Sequence, residues 1–214
     1  MNLKSIISEL VKLVDPDINI ANVATLNDGD EFLETKSSIV LSVVNIQEDK
    51  TLKNQSIYTV KKENKTVETV AHPPQYLNVS LLFTSYSKEQ SKYLDGLEKL
   101  QNIIEYFQIN NSFYYENTTK VLITYFTYKD LDEVEQKNHS KITLLSVSLS
   151  MEQLNQMWSY LGSKYMPSVL FEMRVLPIQK NVIAIKKPIE EVEVGLWRKN
   201  TENPADLLES QTFP

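Results

Sequence analysis

Hydrophobic and polar residues alternate along HPPQYLNVSLLFTSYS, residues 72–87. Apolar side chains occupy every second position from Leu77 to Phe83, after two prolines. Because the side chains of a strand point alternately to its two faces, this pattern predicts a β-strand with one apolar face. The segment SIVLSVVNIQED, residues 38–49, is rich in β-branched residues and predicts a second strand.

Further strands are predicted along the rest of the chain. SIYTV and TVETV flank the turn Glu63–Lys65 and predict an exposed polar hairpin. KVLITYFTY and KITLLSVSLS predict two strands joined by the charged loop KDLDEVEQKNHSK, and SVLFEMRVLPI predicts the last strand of the body. INIANVATL is expected to be a short extended piece, LNDGDEF a polar loop around Gly29, and the aromatic stretch Phe113–Tyr115 part of a polar connection.

Three helices are predicted from apolar spacing and capping residues. Leu3–Val14 has helical period and stops at Asp15–Pro16, because proline disfavours helix in the residue before it. Ser150 and Gln153 form a capping box that opens a helix ending at Gly162. We expect Leu149 and Leu154 to close a hydrophobic staple there, and the apolar face to comprise Leu154, Met157, Trp158 and Leu161.

The longest predicted helix follows the strand predicted within residues 72–87, and a capping box is predicted at Ser87 and Gln90. Its apolar stripe comprises Tyr93, Leu97, Leu100, Ile104 and Phe107, widened by Leu94 and Ile103. The spacing resembles a coiled-coil seam but lasts only about two heptads, fewer than a coiled coil needs. A helix packed on a sheet is therefore favoured.

The order of elements predicts an α+β fold, with a mixed β-sheet and helices packed against it. The body is predicted over residues 1–185. From residue 186 the chain is proline-punctuated and polar, so residues 186–214 are predicted to form a C-terminal arm.

Composition excludes several classes of function. The net charge is -6, and no long Lys/Arg run exists, so nucleic acid is not an expected partner. With no cysteine, disulfides and thiolate chemistry are excluded. We find no signal-like N-terminus and no apolar run long enough to span a membrane, so we expect synthesis in the cytoplasm and no membrane insertion.

Candidate catalytic and metal-binding groups are sparse. His72 precedes two prolines and His139 is predicted to lie in a polar loop, so both are interpreted as structural or solvated. The acidic residues Asp28, Asp30 and Glu31 lack the twelve-residue pattern of a calcium loop. The four glycines are too far apart to cradle a phosphate, and Glu190–Glu191 lies in the arm. We therefore predict no catalytic residues, no metal, no cofactor and no enzymatic activity.

The arm carries the one candidate interface. Residues 191–197 alternate charged and apolar residues, which is typical of a strand that buries one face. Such a strand can pair with the sheet edge of another chain, or it can fold back on its own sheet as an edge strand. The candidate contact residues are Val192, Val194, Leu196, Trp197 and Phe213, because aromatic anchors often dominate interfaces.

Several stretches taken together resemble one known family. They are VDPDINIANVATL, IVLSVVNIQEDKTLKN, PPQYLNVSLLFTSYS with YLDGLEKLQNIIEYFQ, and LSMEQLNQMWSYLGSKYMPSVLFEMRVLPI. They are similar, over residues 3–180, to the cap or tail-terminator proteins of phage-tail-like contractile injection systems such as the antifeeding prophage and the Photorhabdus virulence cassettes. At Met157 this sequence departs from the Leu that is usual before the tryptophan.

The resemblance implies a phage tail-terminator-like fold and a structural role without catalysis. It implies a homo-hexameric ring that binds the distal end of the inner tube and the contractile sheath and ends their assembly, within a particle that is either released or anchored at a membrane. The alternative from another class is a small-molecule or peptide-binding α+β module without an assembly role.

Overall fold

The computed structural model describes residues 2–26, 38–49, 59–64, 67–71, 75–87, 89–131, 133–136, 138–178, 184–186, 192–197 and 207–213. Two compact units divide the chain. The first comprises Met1–Asn54 and Pro74–Gln179, and the second comprises Gln55–Pro73 and Lys180–Pro214.

Within these ranges the chain forms twelve strands and five α-helices. The strands are β1 (Asn19–Ile20), β2 (Ile39–Glu48), β3 (Thr59–Asn64), β4 (Val67–Ala71), β5 (Gln75–Ser85), β6 (Ser112–Glu116), β7 (Leu122–Thr124), β8 (His139–Val147), β9 (Ser168–Ile178), β10 (Ala184–Lys186), β11 (Val192–Trp197) and β12 (Leu207–Phe213). The helices are α1 (Leu3–Val14), α2 (Tyr93–Ile109), α3 (Tyr125–Lys129), α4 (Glu133–Gln136) and α5 (Met151–Leu161). Two single 3₁₀ turns cover Val23–Thr25 and Gln90–Lys92.

The first unit is built on one seven-stranded sheet. Its strand order is β1-β2-β5-β9-β8-β6-β7. Strand β1 runs parallel to β2, and every other neighbouring pair is antiparallel. The predicted α+β fold with a mixed sheet is therefore confirmed. The strand predicted within residues 72–87 is β5, a central strand with β2 on one side and β9 on the other.

One face of this sheet packs against α1 and α2. Because alternate residues of a strand share a face, Val79, Leu81 and Phe83 of β5 meet Phe171 and equivalent residues of the other strands in a single core. Phe107 of α2 lies at its centre, with its ring 4.7 Å from that of Phe171 and 5.7 Å from that of Phe83. Burial of such side chains contributes about 1.5–3 kcal/mol each.

The opposite face is covered in part by α5. Trp158 packs with Val23 and Leu82 in a second buried cluster. The predicted capping box of this helix is confirmed, since Ser150 Oγ accepts from Gln153 N–H (3.2 Å) and Ser150 N–H donates to the Gln153 side chain (3.0 Å). The helix ends at Gly162 with φ of +64°, the left-handed conformation that glycine adopts most readily.

The start of the long helix differs from the prediction. Ser87 and Gln90 do not form a capping box; Gln90–Lys92 is a 3₁₀ turn, α2 begins at Tyr93, and the Ser87 hydroxyl donates to the Lys92 carbonyl (3.3 Å). The buried face is set by Gly96, because a Cβ there would overlap Ser85 Oγ on β5. The buried positions are Gly96, Leu100, Ile103 and Phe107, whereas Tyr93 and Leu94 in the first turn are exposed.

Three connecting segments also differ from the predictions. Phe113–Tyr115 lies in strand β6 and is buried. The sequence predicts a strand over residues 120–128, but β7 ends at Thr124 and helix α3 follows it. The helix places Tyr125 and Tyr128 on one face, from which both rings contact Tyr114. The predicted charged loop contains α4 and the start of β8, and INIANVATL contains only β1 and a 3₁₀ turn.

The second unit contains two small antiparallel sheets. β3 and β4 form a hairpin where the sequence predicts one, but β3 runs on to Asn64, through two of the three residues predicted as the turn; β10 adds to β4. In the arm, β11 pairs with β12, so the predicted strand exists and its partner is the following strand of the arm. Strand β10 spans the predicted boundary between residues 185 and 186; the division into a body and an arm stays a prediction.

Candidate assembly surface

A stacked aromatic pair holds helix α3 against the end of the sheet. The rings of Tyr114 and Tyr128 lie parallel, with centroids 3.6 Å apart and an interplanar angle of 4°. Tyr125 contacts Tyr114 at 6.3 Å. Burial raises the pKa of the Tyr114 phenol, and the neighbouring phenols of Tyr128 and Tyr125 raise it further. The stack fixes the chain where it leaves β7.

Strand β7 ends the seven-stranded sheet, and its outer edge has no strand partner among the described residues. Glu116 N–H donates to Val121 C=O (3.0 Å), and the register places Ile123 opposite Tyr114. Because hydrogen-bonded and non-bonded pairs alternate in an antiparallel ladder, Ile123 directs its backbone groups toward β6. The N–H and C=O of Leu122 therefore point to the open edge.

Exposed apolar side chains flank this edge. Val121 is 42% exposed, Tyr125 47% and Phe126 61%. Single exposed apolar residues are normal, but three within six positions of one edge strand are typical of a contact surface.

Two lysines lie at the same end of the sheet. Lys4 of α1 and Lys120 of the β6–β7 turn line one open depression of about 430 Å³, together with Glu9 and two serines of α1. Lys120 has φ of +62°, a left-handed conformation that costs a non-glycine residue about 1–2 kcal/mol. Its N–H donates to Glu116 C=O (2.9 Å), which holds the turn in place. We call Lys4, Lys120, Val121, Tyr125, Phe126 and the outer backbone of β7 the β7 edge surface.

The five contact residues predicted from the sequence lie in the arm hairpin. Val192, Val194, Leu196 and Trp197 belong to β11, and Phe213 belongs to β12. The backbone register places Val192 opposite Phe213, so the structure brings the two ends of the predicted set together. Their role as an interface stays a prediction.

A second concave surface lies where β5 ends and α2 begins. An open cleft of about 630 Å³ is bounded by the end of β5, the start of α2 and the segment that follows α5. Tyr93 and Tyr165 line it, with Met166 and Leu26 as apolar neighbours. It has the size of a small-ligand or peptide site.

The groups considered for chemistry are dispersed. His139 begins strand β8 rather than lying in a loop, and its Nδ1 lies 2.8 Å from the Glu135 carbonyl. His72 and the acidic residues around Gly29 fall outside the described residues. Across the described ranges no three His, Asp or Glu side chains gather as a metal site would require, and no helix there has the length and apolar character to cross a membrane.

The comparisons with known proteins agree with the sequence resemblance. A family model described as "Pvc16 N-terminal domain" matches residues 3–191. The chain belongs to this family. The match confirms the predicted resemblance to tail-terminator proteins of contractile injection systems.

Two solved structures share the fold of this chain. The anti-feeding prophage cap (AFP tube terminating cap) is 12% identical with a TM-score of 0.54, over 89% of this chain and 60% of that chain. The PVC sheath/tube terminator of an extracellular contractile injection system, in its extended state, is 12% identical with a TM-score of 0.50, over 95% of this chain and 65% of that chain. At 12% sequence identity, the similarity to these two structures shows a shared fold and nothing further. This chain thus spans less than two thirds of either structure, and it matches none of the curated proteins.

Sequence analysis missed the β7 edge surface. Strand periodicity says which residues face the core but not which strand lies at an edge. One available signal was the apolar run Val121–Ile123 followed by Tyr125 and Phe126, which is too apolar on both faces for a solvated strand.

Proposed function

We propose that this chain is a structural cap, or tail terminator, of a contractile injection system. The observation that carries the proposal is the shared fold with a tube terminating cap over 89% of this chain, together with membership of the Pvc16 N-terminal domain family. The cap binds the distal end of the inner tube and the sheath and ends their polymerisation.

The proposed cap is a homo-hexameric ring. A ring is built by a head-to-tail contact that uses two different surfaces of each subunit. The candidates for these two surfaces are the β7 edge surface, in the first unit, and the arm hairpin, in the second.

The proposed partners are other copies of the chain, the inner tube protein and the contractile sheath protein. We assign no catalytic step, cofactor, nucleic acid or membrane insertion to this role. The chain is made in the cytoplasm and becomes part of an injection particle. Val192, Val194, Leu196, Trp197 and Phe213 of the arm are its proposed contact residues.

Light scattering after size-exclusion chromatography tests the ring. We expect a species of about six times the 24.7 kDa chain mass, alone or with tube subunits. A monomer that persists at high concentration with tube subunits would contradict the ring. It would favour the alternative of a peptide-binding or small-molecule-binding module that uses the cleft at Tyr93 and Tyr165.

Deletion of the gene tests the terminator role. Sheaths and tubes of uncontrolled length are expected in electron micrographs of the deletion strain, and the wild-type chain should restore a uniform length. Particles of normal length and stability without the chain would rule the role out. Truncation after Lys187 then tests the arm, whose loss should weaken binding to sheath or neighbouring subunits; unchanged assembly would show that the arm is dispensable.

A further inference from the structure

We infer that the β7 edge surface of one copy receives strand β11 of a second copy. This inference rests on the proposed function, because it names the two surfaces that would join neighbouring subunits of the ring. The occupant is an extended, acidic and apolar segment of the same chain, added as an extra strand.

The first argument is the backbone of the edge. The outward N–H and C=O of Leu122 can pair with another strand, and Ile123 is then a non-hydrogen-bonded position of the new ladder. Strand β11 pairs on one side with β12 and ends its two-stranded sheet, so in the described part of the chain its other edge is open as well. The open edge of β7 in one copy can therefore form backbone hydrogen bonds with the open edge of β11 in a second copy.

The second argument is charge. The chain carries net charge -6, yet the depression at the β7 edge surface is lined by two lysines, Lys4 and Lys120, and by one carboxylate, Glu9, which pairs with Lys12. Strand β11, with sequence VEVGLW, contains an acidic residue, Glu193, and no basic residue. Lysine at an edge discourages pairing with neutral strands. The same charge favours an acidic strand, so it supplies specificity as well as attraction.

The third argument is apolar contact. Val121, Tyr125 and Phe126 are exposed beside the edge. Four of the six residues of β11 are apolar, namely Val192, Val194, Leu196 and Trp197. Pairing would cover Val121, Tyr125 and Phe126 of the receiving copy. A second copy is the occupant because a closed ring needs each subunit to give one surface and receive on another.

Disulfide trapping tests this pairing directly, because the chain has no cysteine. Ile123→Cys is placed in one copy, and Val194→Cys or Glu193→Cys in a second copy with a different tag, so that any mixed disulfide joins two molecules. The two arm positions cover both faces of the strand. Ile20→Cys is the matched control on the receiving copy, since Ile20 lies on β1 at the opposite end of the sheet and is exposed.

We expect a mixed disulfide with Ile123→Cys from at least one arm variant, and only background with Ile20→Cys. Equal yields at the two positions, or no disulfide at either, would overturn the inference. Light scattering of the same samples distinguishes failure of this inference from failure of the proposed function. Hexamers that form without the disulfide would contradict only the pairing of β7 with β11, whereas monomers in every sample would contradict the ring itself.

Charge reversal gives a second readout that needs no cysteine. Lys120→Glu should weaken association between copies by up to about fivefold, the upper limit for one exposed ion pair. Combining it with Glu193→Lys should restore association, while Glu98→Lys, an exposed change on α2 that does not line the depression, should not. Association that Lys120→Glu leaves unchanged would count against the pairing, provided that circular dichroism shows the variant to be folded.

Discussion

Replacing Gly96 by alanine should destabilise the chain, although alanine is the better helix former. Gly96 lies in α2 where the helix crosses the end of β5. A Cβ at position 96 would overlap Ser85 Oγ and would lie 3.3 Å from Ser87 Oγ and 3.4 Å from Ser85 Cβ. Ser85 is 3% exposed and lines the cleft at the start of α2, so its hydroxyl must turn away to admit the methyl group.

Two opposing effects set the magnitude. Overpacking a close contact costs about 1–3 kcal/mol. Replacing glycine by alanine inside a helix stabilises it by about 1 kcal/mol. We therefore expect Gly96→Ala to lower the free energy of unfolding by about 1 kcal/mol. In a Ser85→Ala background the obstructing oxygen is gone, and the same change should raise the free energy of unfolding by about 1 kcal/mol.

Urea denaturation followed by tryptophan fluorescence measures this double-mutant cycle. The expected coupling between positions 96 and 85 is about 2 kcal/mol. Gly162→Ala is the control: its cost of about 1–2 kcal/mol comes from a left-handed backbone, so Ser85→Ala should not reduce it. A coupling below about 0.5 kcal/mol would refute the close approach of α2 to β5.

Three further predictions concern packing, capping and pH. Phe107→Ala should cost about 3–5 kcal/mol in unfolding free energy, because Phe107 is buried among Phe83 and Phe171. The control Phe126→Ala, on the exposed surface, should cost less than about 0.5 kcal/mol in the isolated chain. Equal costs for the two variants would contradict the assigned core. Ser150→Ala should cost about 1 kcal/mol through loss of the capping box, measured by thermal unfolding; no change would mean that the cap does not form in solution. Burial raises the pKa of Tyr114 above 10.0, so the folded chain holds this proton more tightly than the unfolded chain, and stability should fall as pH rises past 10. Tyr114→Phe should flatten that fall in denaturation curves between pH 9 and 11, and an equally steep fall would contradict the burial.

The elements with strong period and clear boundaries could be predicted from the sequence. Strands β2, β5 and β9 and helices α1 and α5 lie where alternation, helical spacing and capping residues place them. Their signals are local: the stop at Asp15–Pro16 and the capping box at Ser150 need no information from distant parts of the chain.

The differences arise where a distant contact decides the local structure. Gly96 fixes the buried face of α2 through Ser85, which no spacing rule within the helix reveals. The turn of helix at Tyr125 forms because Tyr128 stacks on Tyr114, whereas a strand would place Tyr125 and Tyr128 on opposite faces. These are tertiary effects that override local propensity.

In the candidate assembly surface, too, the features set by local sequence could be predicted and those set by distant strand pairings could not. The alternation at Val192–Trp197 predicted a strand in the arm, and the structure has one there. The position of β7 at the end of the sheet follows from strand order, which involves pairings distant in sequence, so the receiving edge could not be found from the sequence alone.

Labelling the ends of the particles tests the central claim most directly. Injection particles are purified from a strain in which this chain carries a tag, decorated with gold-coupled antibody and imaged by negative stain. The account predicts gold at one end of the tube and sheath, the end distal to the baseplate, and nowhere along the sheath. Gold spread along the sheath, or particles without label although the tagged chain is expressed, would contradict it.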